Sequence, residues 1–174
     1  MRSQRPRSLT SQRSVDLLLN FPLKWWALLS EEMKKEWGER VTLSAEVKLA
    51  PNWVSVVFGW MGQRGVTING TIYMTPHWER LAWQGGNLKW MYQFTDLAHE
   101  LYHVNQQRNV GWGRFLWRYM VMWPSHWRRQ WEHPFEVPAY RFDKRVWKRL
   151  QDMEAWNWAG PSTGPSTGAV DRGD

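Results

Sequence analysis

The sequence predicts an α+β fold, and three observations carry that prediction. Helical periodicity brackets the chain at both ends, β-branched and alternating stretches fill the region between about 41 and 73, and the order is helix, strands, then helices. The length, 174 residues, suits one domain rather than two. With 43% hydrophobic and 16% aromatic residues the chain can bury a real core, and its 22% charged fraction is that of an ordinary globular protein.

Residues 1–13 are Ser, Gln, Arg and Pro with little apolar content and read as a disordered basic N-terminus. Residues 159–174 contain a tandem Gly-Pro-Ser-Thr and read as a disordered tail. The folded unit is therefore expected over 14–158. Its first element is a helix from about Pro22 to Trp37: Pro22 suits a first turn, Leu23, Trp26, Leu29 and Met33 fall at helical spacing, and Gly38 follows. Val41, Leu43, Ala45 and Val47 alternate with polar residues, and Val54 to Trp60 is rich in β-formers, so two strands are expected next. Asn69-Gly70 between Val66-Thr-Ile and Thr-Ile-Tyr73 is the strongest hairpin signal in the chain.

The pattern then changes to Leu97, Ala98, Leu101, Tyr102 and Val104, a helix reaching Arg108 that starts after Asn87 or after Thr95, where Thr95 with Asp96 would cap it. Leu116, Tyr119, Met120 and Trp123 mark a further amphipathic helix, expected to stop at Pro124, with Arg114 and Arg118 on its other face. A last helix is expected from Pro134 or Pro138 to Trp156, with Val146, Trp147, Leu150 and Met153 inward.

Composition excludes several classes of function. With no cysteine there is no disulfide scaffold, thiolate zinc finger or cysteine nucleophile. The apolar stretches 17–29 and 115–123 are too short and too interrupted to span a bilayer, and residues 1–13 lack the apolar segment of a secretory signal, so a cytoplasmic location is expected. The net charge of +7 is unevenly placed: 1–13 carry +4, 14–107 carry −1, 108–149 carry +7 and the rest −3. In the basic segment Trp112, Trp117, Trp123, Trp127 and Trp131 interleave with Arg114, Arg118, Arg128 and Arg129. Tryptophans that fill a core beneath a rim of stacked arginines account for this mixture. A surface for an anionic partner, nucleic acid or membrane, accounts for it as well.

The chemistry is concentrated in His99-Glu100-Leu101-Tyr102-His103. Histidines four apart on a helix share one face about 6 Å from each other, so both imidazoles can grip one ion. Zinc favours neutral imidazole nitrogen, and a catalytic site takes three protein ligands and acidifies a water to a pKa near about 7. Glu100, beside the first histidine, is placed to take the proton of that water and pass it to a leaving amine. The third ligand is open among His126, Glu132, His133, Glu136 and Asp143, and His77 reads as a turn residue. The continuation H-x-x-G-x-x-H of metzincins is excluded by Gln106 and Asn109.

The run His99-Glu-Leu-Tyr-His103-Val-Asn-Gln-Gln107, a basic aromatic helix, and then His133-Pro-Phe-Glu-Val-Pro-Ala-Tyr140 resembles the short gluzincin-type zinc metallopeptidases of bacteria. The likeness covers about Val66 to Asp143. It implies a zincin-like fold with a small mixed or antiparallel sheet, a peptidase acting on polypeptide, and Zn²⁺ held by His99, His103 and Glu136 with Glu100 as general base. It also implies that the strand with Thr71, Ile72 and Tyr73 edges the active-site cleft and receives an extended substrate by β-addition. Relatives of this type often carry Asp four residues after the ligand glutamate to orient a zinc histidine, where this chain has Tyr140. Tyr140 and His133 are the candidates, by position, for orienting a ligand or stabilising an oxyanion, with His133 the reserve ligand. The rival to a peptidase is a non-catalytic binding protein that uses the basic 108–149 segment.

Overall fold

The structure, a computed structural model, describes residues 21–51, 55–56, 64–76, 78, 87–126 and 129–158. The fold is α+β: helix α1 (Leu23–Trp37), strands β1 (Glu46–Leu49), β2 (Gly65–Ile68) and β3 (Thr71–Met74), then helices α2 (Asn87–Val110), α3 (Trp112–His126) and α4 (Glu136–Trp158). The predicted disordered ends, the bulk of the predicted strand from Val54 to Trp60, and His77 lie outside the described residues. Ser55 and Val56 fall in a helical turn in which the Ser55 N–H bonds the Pro51 carbonyl, so at those two positions the expected strand is replaced.

Helix α1 begins as expected behind Pro22 and ends at Gly38, whose φ of 59° is open to glycine without steric cost. It buries Trp25, Leu28, Leu29 and Met33. The alternation from Val41 yields a strand only from Glu46. Both backbone groups of Thr42 are taken by the Asn105 carboxamide, its N–H by Oδ1 at 2.8 Å and its carbonyl by Nδ2 at 2.9 Å, so that stretch is pinned to α2 instead of a ladder.

Asn69 (φ 49°) and Gly70 (φ 77°) form the turn between β2 and β3, and the two strands pair antiparallel with Ile68 opposite Thr71. Two successive positive φ values are what a two-residue hairpin that follows the strand twist needs. Strand β1 then pairs parallel with the other side of β3, giving the order β1-β3-β2. This corrects the expectation for Thr71, Ile72 and Tyr73: they lie in the central strand, paired on both sides, and cannot accept a further strand. Among the described residues β2 carries the free edge nearest α2.

Helix α2 is the centre of the molecule, packed on the sheet by one face and on α4 and α1 by another. Phe94, Leu97, Leu101 and Val104 from α2, Leu29 and Met33 from α1, and Phe142, Val146 and Leu150 from α4 close one core around it. It begins at Asn87, so Thr95 is interior. The Thr95 hydroxyl bonds back to the Met91 carbonyl at 2.8 Å and caps nothing. The next helix runs past Pro124 to His126. Pro138 sits in the first turn of α4, where its missing N–H would have had no helical partner, so it neither kinks nor delays the helix. Tryptophans do fill the core on one side, where Trp25 is buried and Trp26, Trp90 and Trp147 pack against it. Trp117 and Trp131 stand out in solvent at 71% and 59% exposure.

An ionic latch joins α1 to α4. Buried Glu32 accepts from Lys35 at 2.6 Å and Arg149 at 2.7 Å, Arg149 also reaches Glu31, and Arg145 pairs with Glu36. Burial pushes the Glu32 carboxyl up, but the hydrogen bonds from Lys35 and Arg149 outweigh it and hold the group below its ordinary value. A carboxylate depressed on folding contributes stability above its unfolded pKa, about 4.3, and that contribution is lost as pH falls through the folded value. Arg149→Met should therefore cost about 1 kcal/mol in urea unfolding at pH 7, because Lys35 remains and the guanidinium is partly exposed, and the difference from wild type should shrink towards pH 3. A difference independent of pH would assign the effect to lost packing.

Candidate metal centre

His99, Glu100 and His103 lie on α2 and Glu136 at the start of α4, and the packing of these two helices brings them together. The His99 and His103 Nε2 atoms are 3.1 Å apart, and Glu136 Oε2 is 3.3 Å from the first and 3.4 Å from the second. Glu136, Tyr140 and Asp143 stand at i, i+4 and i+7 of α4, one stripe facing α2.

The hydrogen bonds fix both tautomers. His99 Nδ1 faces the Asp143 carboxylate at 3.1 Å, which can only accept, so Nδ1 carries a proton and in the neutral ring Nε2 is bare. His103 Nδ1 faces Gln106 Oε1 at 2.7 Å, and that amide is oriented by its Nε2, which donates to the Phe135 carbonyl at 3.0 Å. His103 Nε2 is bare as well. Tyr119 donates to Glu136 Oε1 at 2.8 Å, which leaves Oε2 as the oxygen presented to the imidazoles. When both rings are neutral, three lone pairs thus converge in one buried cluster.

Protonated imidazoles can pair with Glu136. A metal ion meets all three atoms, and ligands about 2.0–2.1 Å from a tetrahedral ion are themselves about 3.3–3.4 Å apart, close to the separations here. The partly buried His99 and the buried His103 and Glu136 could hold a metal ion. The surrounding electrostatics also favour positive charge. Burial pulls the His99 imidazole down, yet hydrogen bonds to Asp143 and Glu136 hold it at about 10. His103 is raised against the same burial by Glu136, and Glu136, which burial alone would raise, is held well below the carboxylate range by the two histidines.

Glu100 is buried beside this cluster. Burial pushes its carboxyl up against the opposing pull of His103, His99 and Thr67. The Thr67 hydroxyl, 2.8 Å from Glu100 Oε2, fixes one oxygen, and Oε1 lies against the backbone of Gly65. A Cβ at Gly65 would meet Met74 Sδ at 2.8 Å and Glu100 Cγ and Oε1 at 3.1 Å, so the strand comes this close because residue 65 has no side chain.

Asp143 is the carboxylate that the sequence comparison missed by looking four residues beyond Glu136. It arrives seven residues on, nearly two full turns, which returns it to the same face. Tyr140 packs its ring on His99, centroids 4.8 Å apart. His133 commits Nδ1 to the Phe135 N–H and Nε2 to the Tyr119 carbonyl, so it pins the loop before α4 and is not a ligand. Glu132 is exposed and pairs with Arg129. Thr67 and Tyr119 carried no chemical signal in the sequence, where they read as a strand position and a core position. Gln106, three residues after His103, was within reach of helical spacing alone.

Asp143→Asn should weaken metal affinity by about 10- to 100-fold, because the amide can turn its NH₂ towards His99 and no longer holds the Nδ1 proton in place. Competition with a chromogenic chelator measures this, and unchanged affinity would mean that packing alone orients His99.

No family model, curated protein or solved structure matches this chain. Among the described residues no helix is long and apolar enough to cross a membrane.

Proposed function

We propose that this protein is a zinc-dependent peptidase of zincin-like design. The observation that carries the reading is the convergence of three atoms able to ligate one ion beside a buried glutamate that is not one of them. His99, His103 and Glu136 would hold the ion. Bound zinc supplies Lewis acidity, polarising a carbonyl and acidifying water.

The chain's own residues account for the remaining steps. Glu100 takes a proton on Oε1 while Thr67 holds Oε2, and its raised pKa suits a group that must return that proton to a leaving amine. Burial pushes the Tyr140 phenol up to about 12, so it stays protonated beside His99 as a donor for a developing oxyanion. The substrate strand is received by β2 rather than β3. In the antiparallel pairing of β2 with β3, the backbone groups of Gly65 and Thr67 turn away from β3. The Thr67 carbonyl is already taken by Gln107 Nε2 at 2.8 Å, which leaves Gly65 and the Thr67 N–H to pair with an extended polypeptide next to Glu100.

A His₂-carboxylate donor set also suits iron(II) in oxygenases. Those sites have no use for a buried proton carrier fixed by a hydroxyl, and Glu100 with Thr67 supports hydrolysis. The non-catalytic alternative rests on the basic 108–149 segment and drew some further weight from Tyr140 standing in place of an aspartate; the Asp143 contact to His99 counts against that second part.

The test is metal content per chain by elemental mass spectrometry after exhaustive dialysis, on wild type, His99→Ala and Glu136→Ala. One zinc in wild type and little in either variant supports the three-ligand site. No zinc in wild type, even after reloading, overturns the reading.

A further inference from the structure

Helix α3 has two apolar faces. At about 100° per residue, Phe115, Tyr119 and Met122 fall on one side. That side faces inward, where Phe115 packs against His103 and Phe135 and Tyr119 reaches Glu136. Diametrically opposite lie Leu116, Trp117, Met120 and Val121, exposed by 41%, 71%, 59% and 57%. Together with Gly113 and Pro124 they make an outward arc of about 140° that carries no charged side chain. Arg114 and Arg118, both exposed, line one flank of it. The amphipathic stripe legible in the sequence is thus split between inside and outside, because Leu116 and Met120 belong to the solvent arc.

Water disfavours a contiguous patch of Leu, Trp, Met and Val, and an unburied patch of this kind marks a contact surface. Charge identifies the partner. Between Glu100 and Glu132 the chain has no acidic residue at all and five arginines. A second copy docked antiparallel, face to face, would bring Arg114 and Arg118 against their own counterparts, and one docked parallel would leave them without an acidic partner. A nucleic acid would satisfy the arginines but has no place for the side chains of Leu116, Met120 and Val121. An anionic bilayer satisfies both: acyl chains receive the aliphatic residues, Trp117 suits the headgroup level, and lipid phosphates meet the flanking arginines.

We propose that α3 is an interfacial helix that docks the protein on anionic lipid by its outer face. Its inner face, through Tyr119 and Phe115, forms the wall of the His99–His103–Glu136 pocket, so docking would set that pocket one helix diameter, about 10 Å, from the lipid surface.

Co-sedimentation of the full chain with vesicles tests this, comparing phosphatidylcholine containing about 30 mol% phosphatidylglycerol with phosphatidylcholine alone. Wild type should bind the anionic vesicles, weaken with salt, and bind neutral vesicles far less. Arg114→Gln and Arg118→Gln should each lose about fivefold in affinity. The double variant Trp117→Ser, Met120→Ser should lose about tenfold or more while keeping the wild-type circular dichroism, since neither side chain is buried. Failure of wild type to sediment with anionic vesicles at low salt overturns the proposal whatever the variants do. So does binding indifferent to Trp117 and Met120, retention by an oligonucleotide in preference to vesicles, or a dimer that dissociates on Trp117→Ser.

Discussion

On the proposed peptidase reading, Glu100→Gln should sharply slow peptide hydrolysis and leave metal content at the wild-type level. The substitution keeps the size of the side chain, which matters because Gly65 and Met74 leave no room beside it. It also keeps the Thr67 contact, since the hydroxyl can donate to the amide oxygen as it does to Oε2. What is lost is the capacity to carry a proton, and loss of a positioned general base and acid costs about 10²- to 10⁴-fold in rate. Because His99, His103 and Glu136 make up the acceptor cluster without Glu100, elemental analysis should read the same in both proteins. The assay is turnover of an unfolded protein or a quenched peptide library. Equal rates for the two proteins would show that the proton travels by another group, and loss of metal in the variant would show that Glu100 is a ligand.

The residues of the site differ in how far the sequence discloses them, and the difference follows from distance along the chain. His99, Glu100 and His103 are legible because four residues on a helix are also neighbours in space. The hairpin is legible because Asn69-Gly70 satisfies a backbone demand that few residue pairs can meet. Glu136 came from resemblance, because nothing local says that the start of α4 will meet the middle of α2. Asp143 shows the same limit: as a member of α4 it is ordinary, and its role exists only once that helix has docked and turned one stripe to His99. Strand order was hidden for another reason. A parallel pairing of β1 with β3 needs the chain to return past β2, and no pattern of side chains within β3 distinguishes a central strand from an edge. Helix α3 misled because periodicity reports that apolar residues share a face and not which face is inward. Here both faces are apolar.

On the proposed three-ligand site, removing the metal should lower the melting temperature by about 10 °C or more. An ion that binds only the native state stabilises it by about 4 kcal/mol when its free concentration is about a thousand times Kd. For a domain of this size each kcal/mol moves the midpoint by about 2–4 °C. The effect should be large here because the ion would add a direct tie between separate elements: His99 and His103 from the middle of α2, Glu136 from the first turn of α4, and through Tyr119 the inner face of α3. Without an ion a protonated imidazole can pair with Glu136 across 3.3 Å, so the expected loss is the ion's binding energy and not a repulsion between the helices. Calorimetry in chelator and then in a slight excess of zinc measures the difference. Glu136→Gln and His103→Ala should both melt at nearly the same temperature with and without zinc, whereas Glu100→Gln should keep the full wild-type shift. A wild-type midpoint unmoved by chelator and by zinc would mean that no ion prefers the folded state, and the three facing acceptors would then need some other partner.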